Sequence, residues 1–167
     1  MAYTLEQFAA DCHAALAQDS GAGGQEKVRA CVEKALKDPA FVEKHLGQAT
    51  AEREIIYEDK DLGFCICAHS YVGERQGSPH DHGPTWAIYG QAVGETSMTD
   101  WKIVKPPVGE TPGEVVKTDT YVMKPGDAKL YPVGAVHAPY RDAPTKLIRI
   151  EGVDTMTVKR TPLKAAS

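Results

Sequence analysis

The first fifty residues carry apolar side chains three or four positions apart, which is the spacing of one face of a helix. A Thr-x-x-Gln capping box at Thr4 predicts a first helix over residues 4–18, and the glycine-rich segment 19–24 should end it. A second helix should end near Asp38, before a proline, and a short third helical piece should end at Gly47. These helices are too few to enclose a core alone. Their apolar positions are Leu5, Phe8, Ala9, Cys12, Leu16, Val28, Cys31, Val32, Ala35 and Leu36.

From about residue 53 the pattern changes to short runs rich in β-branched and aromatic residues, separated by Gly, Pro and Asp turns. The runs are REIIY, LGFCICAHSYV, TWAIYGQAV, ETSMTDWKIV, EVVKTDTYVMK, AKLYPV, TKLIRIEG and TMTVKR. Eight strands in about a hundred residues are typical of a β-sandwich or a small barrel. We therefore expect a single domain over residues 1–167, with a helical N-terminal extension (1–50) and a β-barrel (51–160).

The charge pattern narrows the partners. The net charge of -4 comes from interspersed acidic and basic residues, without the basic stripe that would follow a phosphate backbone, so we expect no nucleic acid partner. No apolar run is long enough for a membrane span and the first residues do not resemble a signal peptide, so the chain is expected to be cytoplasmic and not to contact membranes. Four cysteines without CxxC spacing are interpreted as small buried side chains, although a metal pair at Cys65 and Cys67 is conceivable.

Two histidines stand one residue apart in the segment SPHDHGPTW. On a strand, residues i and i+2 share a face about 6.6 Å apart, so His80 and His82 could bind one metal through bonds of about 2.1 Å, with Asp81 pointing the other way. Hydrogen bonds of both rings within a loop are the alternative interpretation.

These histidines, with Gly94, and the downstream Gly126, Pro132, Gly134 and His137 resemble the two signature motifs of the cupin superfamily. The resemblance implies a mostly β cupin fold, a double-stranded β-helix or jelly-roll barrel, with N-terminal helices before it. It also implies that His137 is the third metal ligand.

The chain departs from the cupin pattern where the motifs carry other polar residues. Ala87 stands where most cupins have a metal-binding glutamate, Arg141 replaces the final asparagine of the second motif, and the first glycine is displaced to Gly73. The remaining set of three neutral histidines resembles the thiol dioxygenase branch, the cysteine and mercaptopropionate dioxygenases. The segment GFCICAHSYVGERQGSPHDH is similar to the strand and loop of that branch.

The pocket residues of that branch are only partly present. Its Ser-His-Tyr relay corresponds to Leu147, Arg149 and Glu151, so the relay is missing. Strand alternation places these three on one face, where Arg149 could hold a substrate carboxylate and Glu151 could orient it or act as a base. The alternative is an Arg149–Glu151 pair on a solvated outer face. The branch's own carboxylate-binding arginine lies on an early strand, near Arg53 here, but one residue out of register.

Three further residues are candidates for the pocket. His69 and Tyr71 share a strand face, and we interpret His69 as a proton shuttle or as a buried core histidine, and Tyr71 as a substrate contact. Trp86 is a further candidate for substrate contact. Core packing is the alternative for Trp86 and the interpretation of Tyr89.

Three functions are compatible with these observations. The first is a non-haem iron oxygenase with Fe(2+) on His80, His82 and His137, which adds O2 to the sulfur of a small thiol acid. The second is a lyase, isomerase or hydrolase on Zn, Ni or Mn, since imidazole binds all of these metals. The third is a non-catalytic module that binds a metal or metabolite. A small-molecule substrate is expected in the first two, and exposed barrel edges are compatible with a homodimer.

Overall fold

The computed structural model describes residues 2–167. Its N-terminal helices are α1 (Leu5–Gln18), α2 (Ala22–Leu36) and α3 (Pro39–Val42), and a π-helical turn over Glu43–Gly47 continues α3. The predicted capping box is confirmed, because the Thr4 hydroxyl accepts from the Gln7 amide while the Gln7 side chain accepts from the Thr4 amide. The predicted break over 19–24 is too long, since α2 begins at Ala22. Gly24 is needed there because a Cβ would lie 1.6 Å from the Asp19 carbonyl oxygen.

The rest of the chain is mostly β. The strands are β1 (Glu54–Glu58), β2 (Cys65–Tyr71), β3 (Arg75–Gln76), β4 (Ala87–Val93), β5 (Thr96–Lys105), β6 (Gly113–Met123), β7 (Ala128–Tyr131), β8 (Val136–Arg141), β9 (Thr145–Glu151) and β10 (Leu163–Ala165). Within residues 2–167 they form two five-stranded sheets, one in the order β1-β2-β9-β4-β7 and the other in the order β10-β6-β5-β8-β3. The crossing connections give the jelly-roll barrel of the cupin fold, so the predicted fold class is confirmed.

Four of the strand assignments differ from the sequence prediction, and two of these are the short strands β3 and β10, which were not predicted. The segment TMTVKR is not a strand: Thr155–Thr157 is a 3-10 turn, and the Asp154 side chain accepts a hydrogen bond from the Met156 amide at its start. Conversely, VHAPYR forms β8, although no strand was predicted there. Proline is tolerated here because Pro139 offers its carbonyl oxygen to the Gly77 amide and needs no amide of its own at that position.

The first sheet, β1-β2-β9-β4-β7, separates two apolar clusters. Its outer face packs against the helices, where Ile66, Ile88 and Ile148 meet Phe8 and Val32. The helix α2 approaches β4 so closely that a Cβ on Gly90 would lie 2.6 Å from the Val32 Cγ1 atom. The inner face points into the barrel, and its apolar side chains form a second, smaller cluster with those of the opposite sheet. The sheet thus isolates the barrel interior from the helical layer. In the described part of the chain, the helices are too short or too polar to cross a bilayer.

Candidate metal centre and its pocket

Three histidines meet inside the barrel. His137 lies on β8, and His80 pairs with it across an isolated bridge in which each backbone amide donates to the other residue's carbonyl oxygen at 3.0 Å. His82 follows on a loop, so the two histidines do not share the face of a regular strand. The bridge and the loop nevertheless bring one nitrogen of each ring to within 4.8 Å of the other two.

The ring nitrogens are arranged as ligands of one cation would be. The Nδ1 atom of His80 donates to the Ser78 carbonyl oxygen at 2.8 Å, which leaves its Nε2 with a free lone pair. The Nε2 atoms of His82 and His137 lie 3.1 Å apart. Two nitrogens bound to one ion at about 2.1 Å with a right angle between them would be about 3.0 Å apart. The three histidines therefore fit a mononuclear metal site.

Burial keeps these rings neutral, as metal binding requires. It lowers the pKa of His80 to about 4 and that of His82 to about 3, with the charge of Arg149 adding to the effect on His82. The pKa of His137 lies well below its ordinary value, first through burial and then through the nearby His80. At neutral pH all three rings offer lone pairs and the ion would keep its full positive charge.

Tyr89 completes this cluster, although the sequence analysis assigned it to core packing. Its hydroxyl lies 3.2 Å from the Nε2 atom of His82, 3.3 Å from that of His137 and 3.3 Å from the NH1 nitrogen of Arg149. Tyr89 follows Ala87 by two residues on β4, so both face the barrel interior. The inner face of β4, which carries Ala87 where most cupins have a glutamate ligand, thus presents the Tyr89 hydroxyl to the histidines. The alternation of β4 could have revealed Tyr89 from sequence.

Arg149 and Glu151 form a buried ion pair on the same inner face. The Nε and NH2 nitrogens of Arg149 lie 2.7 and 2.6 Å from the Oε2 oxygen of Glu151, and the solvated-face interpretation is wrong because Glu151 is 0% exposed and Arg149 8% exposed. Arg53, at 2.8 Å, and the Thr155 amide, at 3.0 Å, donate to the other oxygen. Burial alone would raise the pKa of Glu151, but Arg149, the Thr155 amide and Arg53 lower it to about 2. Glu151 is therefore an anion held by donors, which argues against its use as a base.

The other sequence candidates occupy different places. His69 donates from Nδ1 to the Glu52 carbonyl oxygen at 2.7 Å and stacks on Tyr71, and burial lowers its pKa to about 2. It lines a neighbouring cavity of about 430 Å³ together with Tyr71 and Arg149. Trp86 packs in the core on the helical side of the sheet, which corrects its assignment as a substrate contact.

A cavity of about 240 Å³ opens beside His80. The cavity is lined by His80, Tyr89, Arg149 and Tyr71, and also by Arg141 from β8. Arg75 and Arg160 line it as well and are exposed. The remaining lining residues are Gln76, Gly77, Pro139 and Leu147. This is a small, strongly cationic pocket, which suits an anionic molecule.

The segment 152–162 crosses the site on its way from β9 to β10, and we call it the strap. Asp81, the residue between the two loop histidines, holds it: its carboxylate accepts from the Thr161 amide at 3.0 Å and from the Thr161 hydroxyl at 2.5 Å, and also from the Gly83 amide at 3.0 Å. The strap carries Arg160 into the pocket lining. The Asp81 contacts thus join the strap to the loop that presents the histidines.

A second group of metal-ligating residue types lies nearby but does not suit a cation. Cys65 and Cys67 are buried with their sulfur atoms 3.8 Å apart, and the Cys65 sulfur lies 3.7 Å from the Glu151 carboxylate. That carboxylate is already paired with Arg149 and Arg53. Two guanidinium groups would repel a metal ion at this place, so we interpret the cysteines as packing residues.

Comparisons with known proteins concern the fold. No protein family model matches the chain, and no curated protein matches it. Among solved structures, the chain is similar to KdgF from Halomonas sp., with 17% identity, coverage of 59% of this chain and 74% of that one, and a TM-score of 0.45. A cupin-2 domain protein of Shewanella frigidimarina NCIMB 400 has 16% identity, coverage of 61% and 81%, and a TM-score of 0.43.

Hydroquinone 1,2-dioxygenase from Sphingomonas sp. TTNP3, with 4-hydroxybenzoate bound, is also similar in structure. Its identity is 16%, with coverage of 71% of this chain and 72% of that one, and a TM-score of 0.47. At identities of 16% and 17% the function of this chain rests on its own residues.

Proposed function

We propose that the protein is a mononuclear metal-dependent oxygenase, similar to the thiol dioxygenases, that acts on a small thiol carrying an acidic group. The observation that carries the proposal is the cluster of three neutral histidines, of which His80 lines a cationic pocket of about 240 Å³. Such a pocket excludes large and basic molecules.

The chain's residues have distinct roles in this proposal. His80, His82 and His137 would hold the ion, most simply Fe(2+), through their Nε2 nitrogens. When bound, it supplies a Lewis acid that lowers the pKa of a coordinated thiol and open positions for substrate and O2. Arg149 stays charged because Glu151 pairs with it, and it directs its NH1 nitrogen toward the Tyr89 hydroxyl. That hydroxyl can donate or accept a proton beside the ring nitrogens.

The overall reaction needs no reductant. One thiol and one O2 give one sulfinic acid, with both oxygen atoms added to sulfur. The missing Ser-His-Tyr relay argues against cysteine itself. A thiol acid without an amino group is also favoured by the paired state of the pocket carboxylates, which leaves neither of them to bind an ammonium group. Glu151 is bonded to two arginines, and Glu52 is bonded to Arg75.

Oxygen uptake tests the proposal. The purified protein is loaded anaerobically with Fe(2+), and O2 consumption is followed with 3-mercaptopropionate, mercaptosuccinate, cysteine and cysteamine, with His137→Ala as the blank. We expect uptake with the thiol acids, little with cysteamine, and none in the blank. An iron-occupied protein that consumes no O2 with any of these thiols contradicts the proposal.

A second candidate is a metal-dependent lyase or isomerase of a small acid on Zn, Ni or Mn. It is favoured by the Tyr89 hydroxyl, which lies within 3.3 Å of two ring nitrogens and could transfer a proton to or from a substrate carbon. Turnover that is unaffected by removing O2 would select this candidate. A non-catalytic module would bind metal and turn over neither class of substrate.

A further inference from the structure

Arg141 is a buried cation without an anionic partner. It ends β8 and is 5% exposed, yet it lines the cavity beside His80. Among residues 2–167 no carboxylate pairs with its guanidinium, and its buried Nε atom has no hydrogen-bond partner. Burial lowers its pKa, but arginine stays protonated in proteins, so the charge remains. A charge in such a place is costly unless something compensates it.

The aromatic contact of Arg141 is insufficient compensation. Its guanidinium lies 4.6 Å from the centre of the Tyr71 ring. A cation–aromatic contact stabilises the charge by less than its removal from water costs, and it leaves the planar N–H donors unused. The donors of Arg149, by contrast, are directed to Glu151 and Tyr89. Arg141 is therefore the guanidinium whose donors are available to a ligand.

The charges around the two cavities do not balance. Five arginines line them or lie at their walls, namely Arg53, Arg75, Arg141, Arg149 and Arg160. Three carboxylates pair with members of this set: Glu52 with Arg75, Glu151 with Arg149 and Arg53, and Asp154 with Arg53. Five positive charges against three negative ones leave an excess of two. Arg141 and the strap residue Arg160 are the two without a carboxylate partner in the described part of the chain.

We propose that Arg141 is the receptor for an anionic oxygen group of the substrate, and that the substrate carries two negative charges in the pocket, the second one facing Arg160. The inference rests on the proposed function only in calling this ligand the substrate. The charge excess exists without a metal, so the anion site is present in the metal-free protein as well. A cavity of about 240 Å³ limits the ligand to a small molecule, which under the proposed function is a thiol that also carries two carboxylates or a phosphate ester.

Calorimetric titration of the metal-free full-length protein tests this, with succinate, butyrate and the neutral succinamide as probes. We expect succinate to bind at least about tenfold more tightly than butyrate, and succinamide not to bind. Titration with inorganic phosphate shows which chemical group carries the two negative charges of the substrate. If phosphate binds more tightly than succinate, the substrate is a phosphate ester, and if phosphate binds more weakly, the substrate is a dicarboxylate. Equal binding of succinate and succinamide, or no binding of either succinate or phosphate, overturns the proposal.

Variants separate an anion receptor from a structural residue. Arg141→Met should reduce succinate affinity at least about tenfold and leave the melting temperature of the metal-free protein unchanged or higher, because an uncompensated buried charge is removed. Arg160→Gln should lower succinate affinity toward that of butyrate without changing butyrate binding. Arg29→Gln, on α2 outside the cavities, is the control and should bind succinate as the wild type does. Unchanged succinate binding in Arg141→Met contradicts the proposal, whatever the outcome of the oxygen-uptake assay.

Discussion

Replacing Glu151 by glutamine should destabilise the protein in a pH-dependent way. The change keeps the size of the side chain but removes the charge that Arg149, Arg53 and the Thr155 amide surround. It leaves Arg149, which is 8% exposed, without its carboxylate. Breaking a buried ion pair from one side is costly because the other charge stays buried.

The magnitude follows from the pKa of Glu151, which is lowered from 4.5 to about 2. At about 1.4 kcal/mol per pKa unit this corresponds to about 3 kcal/mol of stability at pH 7. Because the folded pKa is the lower one, the contribution is complete above pH 4.5 and is lost as the pH falls toward 2. At pH 3 it should be about 1 kcal/mol.

Urea unfolding of wild type and Glu151→Gln at pH 7 and pH 3 measures both values. The buried histidines titrate in both proteins, so their effect largely cancels in the difference between the two. Glu114→Gln is a matched control, since Glu114 lies 3.7 Å from an exposed Lys105 and should contribute less than about 1 kcal/mol. A difference below about 1 kcal/mol at pH 7, or one that is the same at both pH values, would refute the reasoning.

Two further variants test the site and the strap. Tyr89→Phe should keep its metal content but lose at least about tenfold in turnover, because it removes the hydroxyl beside His82 and His137. Tyr140→Phe serves as the control for the assay, because the Tyr140 hydroxyl donates to the exposed Glu74. Asp81→Ala removes the bonds to Thr161 and should cost about 2 kcal/mol in urea unfolding and speed proteolysis within 155–162. Full turnover in Tyr89→Phe, or unchanged cleavage in Asp81→Ala, would contradict these assignments.

Local patterns were sufficient to predict most of the barrel. The runs around Ile66, Ile88 and Ile148 were identified from residue type, and alternation placed Arg149 and Glu151 on one face. Such patterns depend on neighbours in the chain, so they succeed where a strand is regular.

They fail where tertiary contacts decide the conformation. The strand around Pro139 forms because the Gly77 amide bonds to the Pro139 carbonyl oxygen, and no amide of Pro139 is needed at that position. The 3-10 turn at Thr155 forms because the Asp154 side chain accepts a hydrogen bond from the Met156 amide at its start. Neither contact is visible in a window of sequence.

The site was predicted in part for the same reason. Motif spacing pointed to His80, His82 and His137, which the fold brings together. The free guanidinium of Arg141 could not be predicted, because its lack of a partner depends on where every carboxylate of the pocket points. Tyr89 could have been found, since it shares a strand face with Ala87, but its contact with two histidines depends on the barrel closing.

Metal stoichiometry tests the central claim most directly. Wild type and the variants His80→Ala, His82→Ala, His137→Ala and His69→Ala are loaded anaerobically with Fe(2+), desalted and assayed for bound metal by mass spectrometry. We expect about one equivalent in the wild type and in His69→Ala, and a loss of most of it in each of the other three, because three nitrogen ligands are the minimum for a stable site. Metal retained in all three of those variants, or lost equally in His69→Ala, would contradict the three-histidine centre.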